Sequence, residues 1–211
     1  MARGLPNLLR KLVVDSSTLI ALERGGLLDF LNKIDLRIIV TESVIGEIGN
    51  LKPQDLHLRN LPTSVREKAN SNLDGAQEPE NMPRTLVRGF LTNLQNSEVE
   101  TLNGKSIKLR DNLIKLGIGK GEADCLIIAN KLKMDFIVCD DRKLLRQLFF
   151  SDNNKLKNFK IFGFSFFLHE FYKKGLINDV WRHFDIIIEK CNWERSEVQV
   201  SNYVFLKGLN Y

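Results

Sequence analysis

The chain is short of cysteine, histidine and long apolar runs, and each shortage removes a class of function. Cys125, Cys139 and Cys191 make an odd count without the spacing of a metal-ligand set. They read as reduced thiols of a cytosolic protein, so a cytoplasmic location is expected. His57, His169 and His183 are scattered, and no HExxH or CxxC pattern supports zinc. No stretch approaches the roughly 18 apolar residues of a membrane helix. The greasiest segment, residues 161–168, is interrupted by Gly163 and Ser165. The first ten residues lack the apolar core of a secretory signal, so no membrane partner is expected. Gly117-Ile-Gly-Lys-Gly121 follows no strand and lacks the ending of a phosphate loop, and reads as a turn into a helix. Ser16, Ser17 and His169 form no recognisable nucleophile triad. Charge of one sign is also limited: 31 basic against 26 acidic residues give +5, which permits a polyanionic partner without requiring one. With 211 residues, 43% of them apolar, the chain is long enough for a single domain with a real core.

What is there alternates between strand and helix. Lys11-Leu-Val-Val-Asp15 is a short apolar run closed by an acid, and Ser16, Ser17 and Thr18 supply capping hydroxyls for a helix. Residues 37–40 form a second apolar run, and Thr41 caps a helix carrying Val44, Ile45 and Ile48. Pro53, Pro62, Pro79 and Pro83 then bound a polar, broken section, read as a helical or irregular insertion over 53–105. An amphipathic helix with Leu86, Val87, Phe90, Leu91 and Leu94 closes it. A helix over 121–132 leads into a third strand, 135–139, which ends in Asp140-Asp141. A further helix over 142–150, a fourth strand at 159–162 and a C-terminal helical extension over 163–211 complete a single domain, 1–211. Strands alternating with helices predict an α/β fold with a parallel sheet.

In such sheets ligands sit outside the carboxyl ends of the strands. Six acids belong to that end: Asp15 after the first strand, Glu47 in the helix after the second, Glu122 and Asp124 in the helix before the third, and Asp140 and Asp141 after the third. Carboxylates converging on one pocket repel each other, and a divalent cation is the usual remedy. An acidic pocket in a basic protein suits a phosphodiesterase, because the surface attracts nucleic acid and the cation reconciles phosphate with acids. Each acid also has an ordinary role open to it. Asp15 could cap its helix, Asp140-Asp141 could cap the next, and Glu122 and Asp124 could favour a helix dipole. Glu122 and Asp124 are also about 200° apart around a helix, so they share a direction only if its first turn is irregular. Glu47 could be an exposed helical acid. It is the conjunction that points to chemistry. A receiver-like domain would want a lysine on a later strand, and a haloacid-type phosphotransferase Asp-x-Asp on the first; neither is present.

Three segments resemble the PIN domain, a family of metal-dependent ribonucleases. They are Val13-Val-Asp15-Ser-Ser-Thr-Leu-Ile20, Val44-Ile-Gly-Glu47-Ile, and Gly121-Glu-Ala-Asp124-Cys-Leu-Ile-Ile-Ala129 running on to Ile137-Val-Cys-Asp140-Asp141-Arg. The resemblance is nearest to the subgroup with a Gly-Glu-Ala-acid helix and a double Asp, and it covers most of the chain outside roughly 53–105. It implies a three-layer α/β/α sandwich with a central parallel sheet, to which this chain adds the insertion and the C-terminal helices. It implies Mg²⁺ or Mn²⁺ held by Asp15, Glu47, Asp124 and Asp141, with Glu122 and Asp140 as additional acids. Water activated by the ion would attack an RNA phosphodiester. Ser17, Lys120, Arg142 and Lys143 are the candidate nucleic-acid contacts. Many relatives are toxins held by a small antitoxin protein, often as homodimers, and others process ribosomal RNA. The family often has Thr or Ser before the last acids, where this chain has Cys139, and the chain is longer than the compact toxins. The alternative reading is a non-catalytic RNA-binding or assembly module on the same fold, which would bind RNA without cleaving it.

Overall fold

The computed structural model describes residues 10–49, 97–134, 136–141, 144, 160–209 and 211. The elements in chain order are β1 (Arg10–Val13), α1 (Ser16–Arg24), a 3-10 turn (Leu28–Lys33), β2 (Leu36–Thr41), α2 (Glu42–Gly49), β3 (Ser97–Glu100), α3 (Gly104–Lys115), α4 (Lys120–Lys131), β4 (Phe136–Val138), β5 (Lys160–Phe162), α5 (Ser165–Lys173), α6 (Val180–Cys191) and α7 (Glu197–Gly208). The protein is α/β, with parallel strand pairing throughout the described residues.

Strands β1, β2 and β3 form one small sheet, and β4 and β5 form another. A single parallel bridge, Val14 to Val138, joins them edge to edge, and the Asp15 amide donates to the Val138 carbonyl at 2.9 Å. Across this seam the strands run β3-β2-β1-β4-β5. Successive strands step one way from β1 and the other way from β4, so the chain direction across the sheet reverses at the seam. In open α/β sheets that reversal opens a crevice at the carboxyl ends of the strands. Asp15 and Asp140-Asp141 follow the two seam strands directly.

Residues 12–14, 38–40 and 136–138 are apolar runs because the strands are covered on both faces there. Val13, Val14, Ile38, Ile39, Val40, Ile137 and Val138 have no exposed surface. Helix α4 packs on β1, β2 and β4, and buries Cys125 through Ala129 beneath its acidic first turn. Helices α6 and α7 both pack on α5, and α6 also reaches α1. Phe164, Phe167 and Phe171 are fully buried along α5, each contributing about 1.5–3 kcal/mol of apolar burial.

One expected boundary shifts. Strand β3 and the start of α3 lie at the end of the segment read as an insertion over 53–105. That reading therefore extends too far: residues 97–100 are a paired strand beside β2. The proline-bounded stretch 53–96, including the helix expected around Leu86–Leu94, lies outside the described residues, as does the helix expected over 142–150 apart from Leu144.

The helical tail is tied to the sheet through one acid. Asp140 is buried, and its Oδ2 accepts from Thr18 Oγ1 and from the Phe164 amide, both at 2.8 Å. Its Oδ1 accepts from Asn202 Nδ2 at 2.8 Å, and Asn202 Oδ1 accepts from the Ser165 amide at 2.9 Å. Four elements, α1, β4, α5 and α7, thus meet at one carboxylate. Replacing Asn202 with Ala leaves a buried carboxylate oxygen and a buried amide unsatisfied, at a cost of about 3 kcal/mol. Urea unfolding measures it; a loss below about 1 kcal/mol would show that α7 does not anchor this network.

Candidate active site

Asp15 holds two jobs, one on each oxygen. Its side chain is 1% exposed. It is the N-cap of α1: Oδ2 accepts from the Ser17 amide at 3.2 Å and from Ser17 Oγ at 2.8 Å. Cys139 Sγ also donates to Oδ2, at 3.5 Å, and Sγ in turn accepts from the Asp141 amide at 3.4 Å. The thiol thus occupies the bridging place that a hydroxyl would fill, with longer and weaker bonds. Oδ1 is buried without any hydrogen-bond partner.

Four further carboxyls, Glu47, Glu122, Asp124 and Asp141, lie around Asp15. Ser16 Oγ donates to Glu47 Oε2 at 2.6 Å, which turns the tip of an otherwise exposed side chain towards α1. The nearby Gly121 amide favours the charged form of that carboxylate. A Cβ at position 121 would stand 2.6 Å from Glu47 Oε1, so the close approach of α2 to α4 needs glycine there. Glu122 shares a hydrogen bond with Asp141. Asp124 is buried, and Ser43 Oγ donates to its Oδ2. Its Oδ1 has no hydrogen-bond partner and lies 3.9 Å from Arg110 Nε. The first turn of α4 is regular helix, so Glu122 and Asp124 do diverge: one meets Asp141, the other Ser43 and Arg110.

The electrostatics are those of a site short of positive charge. Burial raises the Asp15 carboxyl above the ordinary carboxylate range, although Ser17, Ser16 and Cys139 oppose the shift. Burial also raises Glu47, and the charges of Asp15 and Asp124 add to it. Glu122 is pushed up to about 8, by burial first, then by the charge of Asp15 and its bond to Asp141. Asp140 is pushed up to about 6 by burial, against the three hydrogen bonds it accepts. Positive ends of helices partly offset this crowd, since Asp15 caps α1 and Glu122 sits in the first turn of α4.

The fit to a divalent cation rests on the donors. They are hard carboxylate oxygens, the kind Mg²⁺ and Mn²⁺ take, and two of them are buried with nothing to accept from. Among the described residues, no group of three or more His, Cys, Asp or Glu side chains is arranged to hold a metal ion.

Of the residues singled out from sequence, the structure gathers Asp15, Glu47, Glu122, Asp124 and Asp141. Asp140 sits beside them with both oxygens spent on Thr18, Phe164 and Asn202. Ser17 is likewise spent internally, donating to Asp15 and accepting from the Asp140 amide at 2.9 Å. Lys120 lines a cleft of about 370 Å³ that also takes in Glu47, Asp124 and Arg110. Arg142 and Lys143 lie outside the described residues. Arg110 is a residue of this cleft that none of the sequence motifs singles out. Its signal was present: Ser106, Arg110 and Leu113 recur at i, i+4 and i+7, which puts an arginine on the inward face of α3.

No family model, no curated protein and no solved structure matches the chain. Among the described residues no helix is long and apolar enough to cross a membrane.

Proposed function

We propose that this protein is a metal-dependent ribonuclease of the PIN type, on a three-layer α/β/α fold whose two small sheets act as one. The observation that carries the reading is Asp15. A capping aspartate needs one oxygen; here the second is buried and unpartnered at the strand-order reversal, in a side chain whose charge acts on Glu47 and Glu122. A structural role explains Oδ2 and leaves Oδ1 without a reason. Asp15, Glu47, Asp124 and Asp141 would hold Mg²⁺ or Mn²⁺. The ion, when bound, supplies Lewis-acid stabilisation of a phosphodiester and lowers the pKa of an attacking water.

The chain's own residues do the rest. Ser17 and Cys139 fix the Asp15 carboxylate through Oδ2 and leave Oδ1 without a hydrogen-bond partner. Ser16 holds Glu47, and Ser43 holds Asp124. Glu122, pushed up to about 8, keeps a proton beside the other acids and is the candidate general acid for an alkoxide leaving group. Asp140 positions rather than reacts, since its oxygens are taken. The buried thiols suit a reducing, cytoplasmic setting.

The test is cleavage of a labelled single-stranded RNA with Mn²⁺, with Mg²⁺ and with EDTA. Metal-dependent cutting that EDTA abolishes is the expected result. Salt-sensitive RNA binding without cutting, in protein shown to bind Mn²⁺ or not, would favour the non-catalytic module instead.

A further inference from the structure

The cleft beside the acids holds Arg110 and Lys120, and the pairing of Arg110 is incomplete. Arg110 Nε lies 3.9 Å from Asp124 Oδ1 and 3.6 Å from Asp111 Oδ1. Both Arg110 Nε and Asp124 Oδ1 are buried, and neither has a hydrogen-bond partner. At 3.9 Å the two attract as charges without forming a hydrogen bond. Leu113, one turn further along α3, is buried and fixes the helix against the core, so the guanidinium is held on a short tether. The cleft of about 370 Å³ is lined by four acids, Glu42, Glu47, Glu100 and Asp124, and by two cations, Arg110 and Lys120. Its size is that of a small-ligand pocket, enough for about one nucleotide.

We propose that Arg110 is a tethered counter-ion that changes partner. Without a divalent cation it neutralises Asp124; when the cation binds, Arg110 is released to the phosphate of a nucleotide in the adjoining cleft. This rests on the metal-nuclease reading above. Charge accounting drives the exchange. A divalent ion at Asp124 brings two positive charges, so the arginine nearby becomes redundant and is repelled. The same ion offsets the charge of two of the four acids in the cleft, and with Arg110 and Lys120 it balances the lining so that a phosphate is no longer repelled. A guanidinium suits the second role because its planar fork matches phosphate oxygens, and Lys120 adds a second positive charge at the cleft.

The exchange makes opposite predictions for the two ligands. Mn²⁺ binding to the full-length protein, measured by calorimetry, should be roughly tenfold tighter in Arg110→Gln than in the wild type, because a competing charge is gone. Arg110→Lys should stay near the wild type. Binding of a 2′-O-methylated oligoribonucleotide in Mg²⁺ should weaken in Arg110→Gln, and its salt dependence should drop by about one phosphate contact. Mn²⁺ affinity that is unchanged or weaker in Arg110→Gln, with a wild type that binds Mn²⁺, overturns the counter-ion role and leaves the nuclease reading intact. Tighter Mn²⁺ with unaltered oligonucleotide binding overturns the hand-over to phosphate. A wild type that binds no Mn²⁺ overturns both readings. Should Arg110→Gln not fold, the wild type decides alone: the ¹⁵N Nε–H signal of Arg110 should move as Mg²⁺ saturates the site, and a signal that stays put overturns the proposal.

Discussion

Asp15→Asn should lose RNA cleavage by about 100-fold or more and yet melt higher than the wild type. The two halves have one cause. Asp15 is 1% exposed with one oxygen unpartnered, beside Glu47 and Glu122 whose charges it repels. Asparagine is as good an N-cap as aspartate, so the Ser17 amide keeps its acceptor. The substitution removes a buried negative charge without creating a cavity. It also lifts the repulsion felt by Glu47 and Glu122. A gain of 1 kcal/mol is worth about 2–4 °C in a chain of this size. Melting in EDTA and single-turnover cleavage in Mn²⁺ read the two halves separately. A mutant that melts well below the wild type would mean that Asp15 is mainly a cap; a mutant that still cuts would sink the assignment of the site.

That dual role is also why the sequence could be read only so far. Asp15, Thr41 and the apolar runs 37–40 and 136–138 carry local signals, and the elements stand where those signals put them. Thr41 does cap α2, with its Oγ1 accepting from the Val44 amide at 3.2 Å. Strand β3 has no such signal. Ser97-Glu-Val-Glu100 has one apolar residue in four and becomes a strand only because β2 offers a free edge. Glu122 and Asp124 look incompatible on a helical wheel, since a wheel assumes one target. They serve two, Asp141 and the Ser43–Arg110 side of the cleft. Arg110 and Asn202 reach the site through pairings more than a dozen and some sixty residues away, at Asp124 and Asp140, and no local pattern announces a pairing of that kind. Cys139 stands where the resemblance would put Thr or Ser, and its Sγ links two parts of the site, accepting from the Asp141 amide and donating to Asp15.

In EDTA the protein should lose stability as pH rises from about 5 to about 8, the reverse of an ordinary acid-rich protein. The sign follows from the direction of the shifts. Asp140 is raised to about 6 from 3.8 and Glu122 to about 8 from 4.5, with Asp15 and Glu47 raised as well. Between its unfolded and folded pKa each group binds more protons folded than unfolded. Its contribution is therefore complete below the unfolded pKa and is lost as pH climbs through the folded one. Asp140 covers the lower part of the window and Glu122 the upper. The melting temperature in EDTA should fall by at least about 5 °C over that range. Saturating Mn²⁺ should flatten or reverse the slope, because a cation binds the deprotonated acids and adds most stability where they are ionised. Glu122→Gln should remove the upper part of the fall and leave the lower part. A melting temperature in EDTA that is level or rises with pH would show that these carboxyls are ionised and compensated in the free protein. The case for a cation to reconcile them would then fail at its first step.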